Sequence, residues 1–486
     1  MKIYLLNPPF MEGFVRCGRW QGVKARGKTL YYPIWLAYAT GVLEEKGYDV
    51  RLVDAIARKW SKEETLRDIK KFSPDMLVVD TNFSSMVNDV KFAVDVKNKL
   101  NDSLVTVIVG PPTAVYTEKI LLELGADIVA RKEIDFTLPE IVEVLEKKRE
   151  VTSVLGISYI KNGSAIHNPE RPYLTSEELN SLPFVSKVYK RHLKISDYWL
   201  DHTLNPMVQI ITSRGCPNLC TFCSWPENLM GRKFRARSSR NIADEIEWIL
   251  NNLPEVKEIF FEDDAFTINK NRVIEFTKEV NKRNLKFNWS CQARASLDYE
   301  TMRMMKVSGC RLLDVGFESG SNTMLKNMKK GLTVEKAKKF AADAKRAGLL
   351  ILADFMFGLP GETQDTISQT VKFINVIKPN LLQIAVATPI PGTQFYELVK
   401  EKGYLLEDDP SKTIDDNGFQ VCLVSYPNLS SQDLETAVDS ALKGYYLNVS
   451  YIPVALSNFF RKDGFNEFKK IIGSAYLFLK YLRRNS

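Results

Sequence analysis

The sequence predicts an α/β protein with two mostly parallel sheets in succession. Three observations carry that prediction. Up to about residue 145, short apolar runs alternate with amphipathic helical patterns, as βα units with helices on both faces of a sheet require. From about residue 205 to 425 a second series of six such units follows, a count that suits a parallel barrel or partial barrel. The chemically distinctive residues of that second series fall just after its strands, where a barrel places its active site. The expected organisation is a doubly wound domain over 1–145, a connector with a hairpin over 146–204, a partial (β/α)6 barrel over 205–425 and a helical segment over 426–486.

A chain of 486 residues is long enough for two or three domains with sizeable cores. With 45% hydrophobic and 26% charged residues it has the balance of an ordinary globular protein, which excludes wholesale disorder. A net charge of +8 is modest for this length and favours anionic partners. The basic residues are spread out and form no nucleic-acid motif, so no nucleic acid is expected. Seven cysteines with three of them clustered argue for a reducing interior rather than a disulfide framework. The apolar part of Met1–Pro9 is too short for a signal peptide, and no run approaches the ~18 residues of a membrane span. The expected location is the cytoplasm.

In the N-terminal domain the strands read as Ile3–Leu6, Val50–Val53, Met76–Val79, Val105–Val109 and Ile128–Ala130. Helical patterns lie between them at Trp35–Lys46, Lys62–Lys71, Val87–Lys99 and Glu118–Leu124. Such sheets bind ligands at the carboxyl ends of their strands. Those ends carry Asn7-Pro8-Pro9, Thr81–Ser85, Gly110-Pro111-Pro112-Thr113 and Arg131-Lys132-Glu133. No Gly-x-Gly-x-x-Gly fingerprint is present, so a dinucleotide is not indicated. In the connector, Ile157–Ile160 and Ala165–His167 flank Asn162-Gly163, a pair suited to a type I′ hairpin turn. The basic stretch Tyr189-Lys190-Arg191-His192 reads as a solvated face.

In the barrel the strands read as Val208–Thr212, Glu258–Phe261, Phe287–Ser290, Leu312–Gly316, Ile351–Phe357 and Leu382–Ala387. After the first comes Cys216-Pro-Asn-Leu-Cys220-Thr-Phe-Cys223, a loop whose spacing turns three sulfurs inward. Thiolates are soft ligands suited to zinc or iron–sulfur clusters. A structural zinc site wants four protein ligands, and this loop supplies three. A four-iron cluster with one iron left open for a non-protein ligand fits better. The remaining strand ends carry Glu262-Asp263-Asp264, Cys291–Arg294, Gly316–Gly320, Gly358–Thr363 and Thr388–Thr393. One acidic pair alone would read as a helix cap; all of these on one rim point to a site.

The Cys-x3-Cys-x2-Cys spacing, with Phe222 before the last cysteine, resembles the signature of radical S-adenosylmethionine (SAM) enzymes. The resemblance implies that Cys216, Cys220 and Cys223 hold a 4Fe–4S cluster whose open iron binds SAM. Reduction, by a ferredoxin or flavodoxin, then cleaves SAM to a 5′-deoxyadenosyl radical. It further implies that Glu262, Asp263 and Asp264 hold the SAM ammonium, with the two aspartates not separable from sequence. Arg294 balances the carboxylate, Glu318 and Ser319 bond the ribose, and Gly358, Pro360, Gly361 and Glu362 bring backbone against adenine. The N-terminal domain resembles the Rossmann-like cobalamin-binding domain of one large class of these enzymes. It lacks the Asp-x-His-x-x-Gly motif, and the first histidine of the chain is His167. Either cobalamin binds without a protein imidazole or the domain has lost the cofactor.

Longer strings, including Ala130–Glu133, Leu182-Pro183-Phe184 and Val256–Phe261, resemble a lipid-related subgroup with the hopanoid cyclitol-ether and archaeal calditol synthases. That resemblance implies hydrogen abstraction from an unactivated carbon of a polyol-linked isoprenoid lipid, leading to carbon–carbon bond formation or ring contraction. The alternatives are a cobalamin-dependent radical SAM methyltransferase and a non-catalytic iron–sulfur or zinc protein. His167, His192 and His202 show no ligand spacing. Cys291 and Cys310 read as buried, Cys422 carries no spacing signal, and Cys17 between Arg16 and Arg19 is a candidate for a lowered-pKa thiol. A helix is expected at Leu434–Leu447, followed by aromatics mixed with cations from Phe459 to Arg484, a pattern that suits peripheral membrane contact or packing on the barrel.

Overall fold

A computed structural model of the chain describes residues 1–16, 22–25 and 27–459. Cys17 and residues 460–486, with most of the aromatic and cationic tail, lie outside the described residues. The chain enters on β1 (Lys2–Asn7), makes a short antiparallel pair of β2 (Phe14–Val15) and β3 (Val23–Lys24), and then alternates strand and helix. Strands β4 (Asp49–Asp54), β5 (Met76–Asp80), β6 (Val105–Val109) and β7 (Ile128–Ala130) complete a parallel set, joined antiparallel by β8 (Ile157–Lys161) and β9 (Ser164–His167). The sheet order is β4-β1-β5-β6-β7-β8-β9. Its strands are buried along both faces, as helices on both sides demand. The expected hairpin therefore belongs to the N-terminal sheet, and its turn has Asn162 and Gly163 at φ 51° and 77°, as a type I′ turn requires.

The second sheet holds β10 (Met207–Ile210), β13 (Glu258–Phe261), β14 (Asn288–Ala293), β15 (Cys310–Glu318), β16 (Leu350–Phe357) and β17 (Leu381–Val386), all parallel and in chain order. A two-stranded ribbon of β11 (Ser213–Arg214) and β12 (Arg235–Ala236) closes the loop between β10 and β13. This is the expected six-unit barrel, and it is open, because β10 and β17 pair only on one side.

An open edge presents unpaired backbone groups, and here tyrosines cover both. On β10 the hydroxyls of Tyr32 and Tyr189 donate to the carbonyls of Met207 and Gln209, at 2.8 and 3.1 Å. The Tyr38 hydroxyl bonds Ile211 in both directions at 3.2 Å. On β17 Tyr446 does the same for Leu382 at 2.8 Å each way. The basic stretch ends a helix (Val185–His192): Lys190 and Arg191 are exposed, as a solvated face requires, while Tyr189 is fully buried against that edge. Alternation hid this, since Lys187, Lys190 and Arg191 flank the buried side chains Ser186, Val188 and Tyr189. The C-terminal helix (Ser431–Tyr446) starts one turn earlier than expected and is capped by Ser430 and Asp433 as a reciprocal box. No helix among the described residues is long and apolar enough to cross a membrane.

Candidate active site

The cysteine loop is held from several sides. Gly215 stands at φ +86°, and a Cβ there would lie 2.1 Å from the Lys233 carbonyl, so only glycine fits the entry. The amide of Cys216 donates to Gly231, that of Thr221 to Met328 at 3.1 Å, and that of Phe395 to the Thr221 carbonyl at 2.9 Å. Phe222 packs half-buried against the core and so anchors the turn between Cys220 and Cys223. Just before the loop, Arg214 is buried and makes bidentate bonds of 2.7 and 3.0 Å to Asp135 of the N-terminal domain. Its guanidinium also lies over Trp35 and Tyr38. Glu133 bonds Arg214 and, with both oxygens at 2.9 Å, Arg235. The N-terminal domain thus fixes the approach to the cysteines.

Among the described residues no group of three or more His, Cys, Asp or Glu side chains is set to hold a metal ion. Three corners of a cubane cluster require no such group, because each thiolate meets its own iron. Burial pushes the Cys223 thiol up to about 12, and the nearby Cys220, Cys216 and Asp264 push the same way. A positively charged soft centre reverses that penalty, so the donor set suits an iron–sulfur cluster.

The three acidic residues after β13 separate by environment. Asp263 is fully buried and accepts from the amides of Thr212 and Ser213, from the Ser213 hydroxyl at 2.6 Å, and faces Arg272 at 3.6 Å. It ties the end of β10 together. Glu262 accepts from the Gln209 amide at 2.8 Å. Asp264 is the one within electrostatic reach of Cys223.

Glu318 ends β15 at φ +67°, a left-handed conformation that is strained for a non-glycine residue and frequent at functional sites. Its carboxylate meets the Lys330 ammonium at 2.6 Å. Lys330 is buried, faces Cys220 electrostatically, and its carbonyl accepts from Arg294 at 2.6 Å. The structure thus brings Arg294, Glu318 and Lys330 to the Cys220 side of the loop. Ser319 turns to Thr370 at 3.1 Å and is buried there. Gly358, at φ +94°, is covered by the C-terminal segment, since Tyr426 donates to its carbonyl at 2.7 Å and Leu434 lies against it. Pro360 is half-buried, and Gly361, at φ +93°, approaches Asn327. Glu362 is pushed up to about 7 by burial, against the Thr366 hydroxyl and the Gly358 amide that pull it down.

Lys330 escaped the sequence reading. In Met328-Lys329-Lys330-Gly331 nothing distinguishes it from Lys329, which points outward to Gln394. The histidines carry no site: His192 is held by Leu52 and Glu44, His167 lies on β9 against Ser158, and His202 is half-buried beside Phe260. None stands at the carboxyl ends of β1, β4, β5, β6 or β7. Those ends are instead covered by the segment around β2 and β3, with Asn82 accepting from Gly22 at 2.7 Å and donating to the Arg16 carbonyl at 2.9 Å. At Gly110, φ +110°, a Cβ would lie 2.3 Å from the Thr81 carbonyl, so two strand-end loops approach through bare backbone. These loops carry no imidazole that could ligate the cobalt of a corrinoid.

A family model described as the radical SAM superfamily matches residues 210–374. A second, described as a B12 binding domain, matches residues 21–142. The chain is 30% identical over 469 residues to the uncharacterised methyltransferase PH0819 of Pyrococcus horikoshii, covering 96% of both chains. It is 25% identical over 375 residues to the hopanoid C-3 methylase of Methylococcus capsulatus, covering 74% of this chain and 67% of that one. Its fold matches the radical SAM methyltransferase TsrM of Kitasatospora setae, solved with cobalamin and a 4Fe–4S cluster, at a TM-score of 0.71 and 15% identity over 98% and 99% of the two chains. With two family models in tandem and a relative aligned along nearly its whole length, the chain belongs to the radical SAM superfamily of enzymes, in the class with an N-terminal B12 binding domain.

Proposed function

We propose that the protein is a cobalamin-dependent radical SAM methyltransferase. The observation that carries the reading is the full-length match to a relative named as a methyltransferase, spanning both the B12 binding domain and the barrel. When bound, the cluster and SAM supply a radical that removes hydrogen from carbon, and cobalamin supplies the methyl group. The chain's own residues position these groups. Cys216, Cys220 and Cys223 serve as the thiolate donors. Asp264, on the Cys223 side, is the carboxylate suited to the SAM ammonium, while Asp263 is engaged in holding β10. Arg294 and Lys330 supply positive charge for the SAM carboxylate, and Glu318, fixed by Lys330, is oriented for the ribose. Glu262, next to Asp263 in the chain, accepts from Gln209. A ferredoxin or flavodoxin supplies the electron.

The test is product stoichiometry with protein reconstituted without oxygen, given cobalamin, reductant and SAM. A methyltransferase forms S-adenosylhomocysteine alongside 5′-deoxyadenosine. Formation of 5′-deoxyadenosine alone would instead support carbon–carbon coupling, and formation of neither would remove the radical reading.

A lipid as methyl acceptor is supported by two observations. One is the identity to a methylase named for a hopanoid. The other is a run of exposed apolar side chains, Leu447, Val449, Ile452 and Leu456, near the end of the described residues. Such a run fits contact with a bilayer surface. Co-sedimentation with anionic liposomes should fall in a Leu447→Glu/Ile452→Glu variant; unchanged sedimentation would argue for another acceptor.

A further inference from the structure

The inner face of the barrel sheet carries polar groups that the reading above leaves unused. Strand alternation sends Leu313, Val315, Ile351 and Phe355 into the main core under the helices. The opposite side chains, Leu312, Leu350 and Leu352, form a separate small apolar cluster with Leu381. Above that floor runs a belt across four strands. Gln292 of β14 is in register with Asp314 of β15, and Asp354 of β16 with Gln383 of β17. Gln292 donates to Asp314 at 2.8 Å. Asp354 is 6% exposed, and no N–H or O–H among the described residues reaches its Oδ1. Its neighbour is the Asp314 carboxyl, and burial together with that like charge raises the Asp354 carboxyl well above its ordinary range. Glu318 is the next acid, and Lys330 pairs with it.

A buried acceptor without a donor is costly, and the cost is recovered when a ligand brings the donor. We propose that Gln292, Asp314, Asp354 and Gln383 form a substrate-binding belt that receives a hydroxyl- or amino-bearing group and rejects an anionic one. This deepens the methyltransferase reading and rests on it for the identity of the occupant as the methyl acceptor. The incoming O–H or N–H donates to Asp354 while Gln292 keeps Asp314 in place. An anion would meet a belt that is already negative, and repulsion in a buried site is strong.

Saturation-transfer NMR on the full cluster-loaded chain tests this, with myo-inositol, ethanolamine and glycerol 3-phosphate as polyol, amine and anion probes. Transfer is expected to myo-inositol or to ethanolamine, and which of them responds tells a polyol from an amine. None is expected to glycerol 3-phosphate. Asp354→Leu should weaken binding of the responding probe by about ten-fold or more. Gln383→Ala, at the exposed end of the belt, leaves the acid pair intact and should weaken it less; it decides the matter if Asp354→Leu fails to fold by circular dichroism. No transfer to either donor probe, equal transfer in the variants, or preference for glycerol 3-phosphate would overturn the proposal. Probe binding needs no turnover, so absence of S-adenosylhomocysteine would remove the methyltransferase reading and leave the belt standing.

Discussion

The two sheets treat buried charge in opposite ways. In the N-terminal domain, Arg16 and Asp89 are both fully buried side chains, joined by two bonds of 2.9 and 3.0 Å. Arg16 also bonds Asn7, the Pro8 carbonyl and Ser85, and Asp89 accepts from Thr81 and Ser85. Burial raises the Asp89 carboxyl, and Arg16 with these hydroxyls offsets part of that rise. Each charge has its partner within the fold. Inside the barrel, Asp314, Asp354 and Glu318 lie together with Lys330 as their near cation, and burial holds Asp354 far above the usual carboxylate range. A satisfied pair builds structure; an excess of acceptors is an arrangement for something that comes and goes.

Substitutions on each side should show the contrast. The largest effect is expected at the cysteine loop, where Cys220→Ala should reduce 5′-deoxyadenosine to the level without enzyme and lower bound iron, while circular dichroism stays that of the wild type. Retained SAM cleavage would detach the chemistry from the barrel altogether. Next, Asp89→Ala should cost about 3–5 kcal/mol in urea unfolding, because it strands a buried guanidinium. A loss under about 1 kcal/mol would mean that the pair is solvated and the contrast false.

Glu362 gives an intermediate effect that depends on pH. Its carboxyl is raised from 4.5 to about 7, so its contribution to stability is full below the unfolded value and is lost as pH rises through the folded one. Between pH 4.5 and about 7 the wild type should lose up to about 3 kcal/mol relative to Glu362→Gln. Parallel stability curves for the two proteins would show that this carboxyl is not buried in solution. The smallest change is expected from Asp354→Asn, whose amide can donate to Asp314 and carries no charge to bury. Its unfolding free energy should change by less than about 1 kcal/mol, in contrast to Asp89→Ala. A large loss there would place the acid pair with the structural charges.

Much of the site was legible in sequence because its signals are local. The three cysteines lie within one loop, and the strand-end residues follow apolar runs that set their place on the rim. Asp263 and Asp264 could not be told apart, since adjacency in sequence says nothing about which carboxylate turns to Thr212 and which toward Cys223. Lys330 and the Asp314–Asp354 pair were invisible for a related reason. A lysine before a glycine, and single aspartates within strands, acquire meaning only from neighbours many residues away.

The sequence by itself determined the alternation of strand and helix, the six-unit barrel and the three-thiol loop, because periodicity and short spacings are properties of contiguous residues. Only the tertiary structure decided what each buried charge faces and how the open barrel edges are covered. Arg214 reaches Asp135, Tyr32 reaches Met207, and Tyr446 reaches Leu382 across gaps of 64 residues or more. A side chain's environment is made by such distant segments, so its charge state and its task are fixed only when the chain has closed on itself.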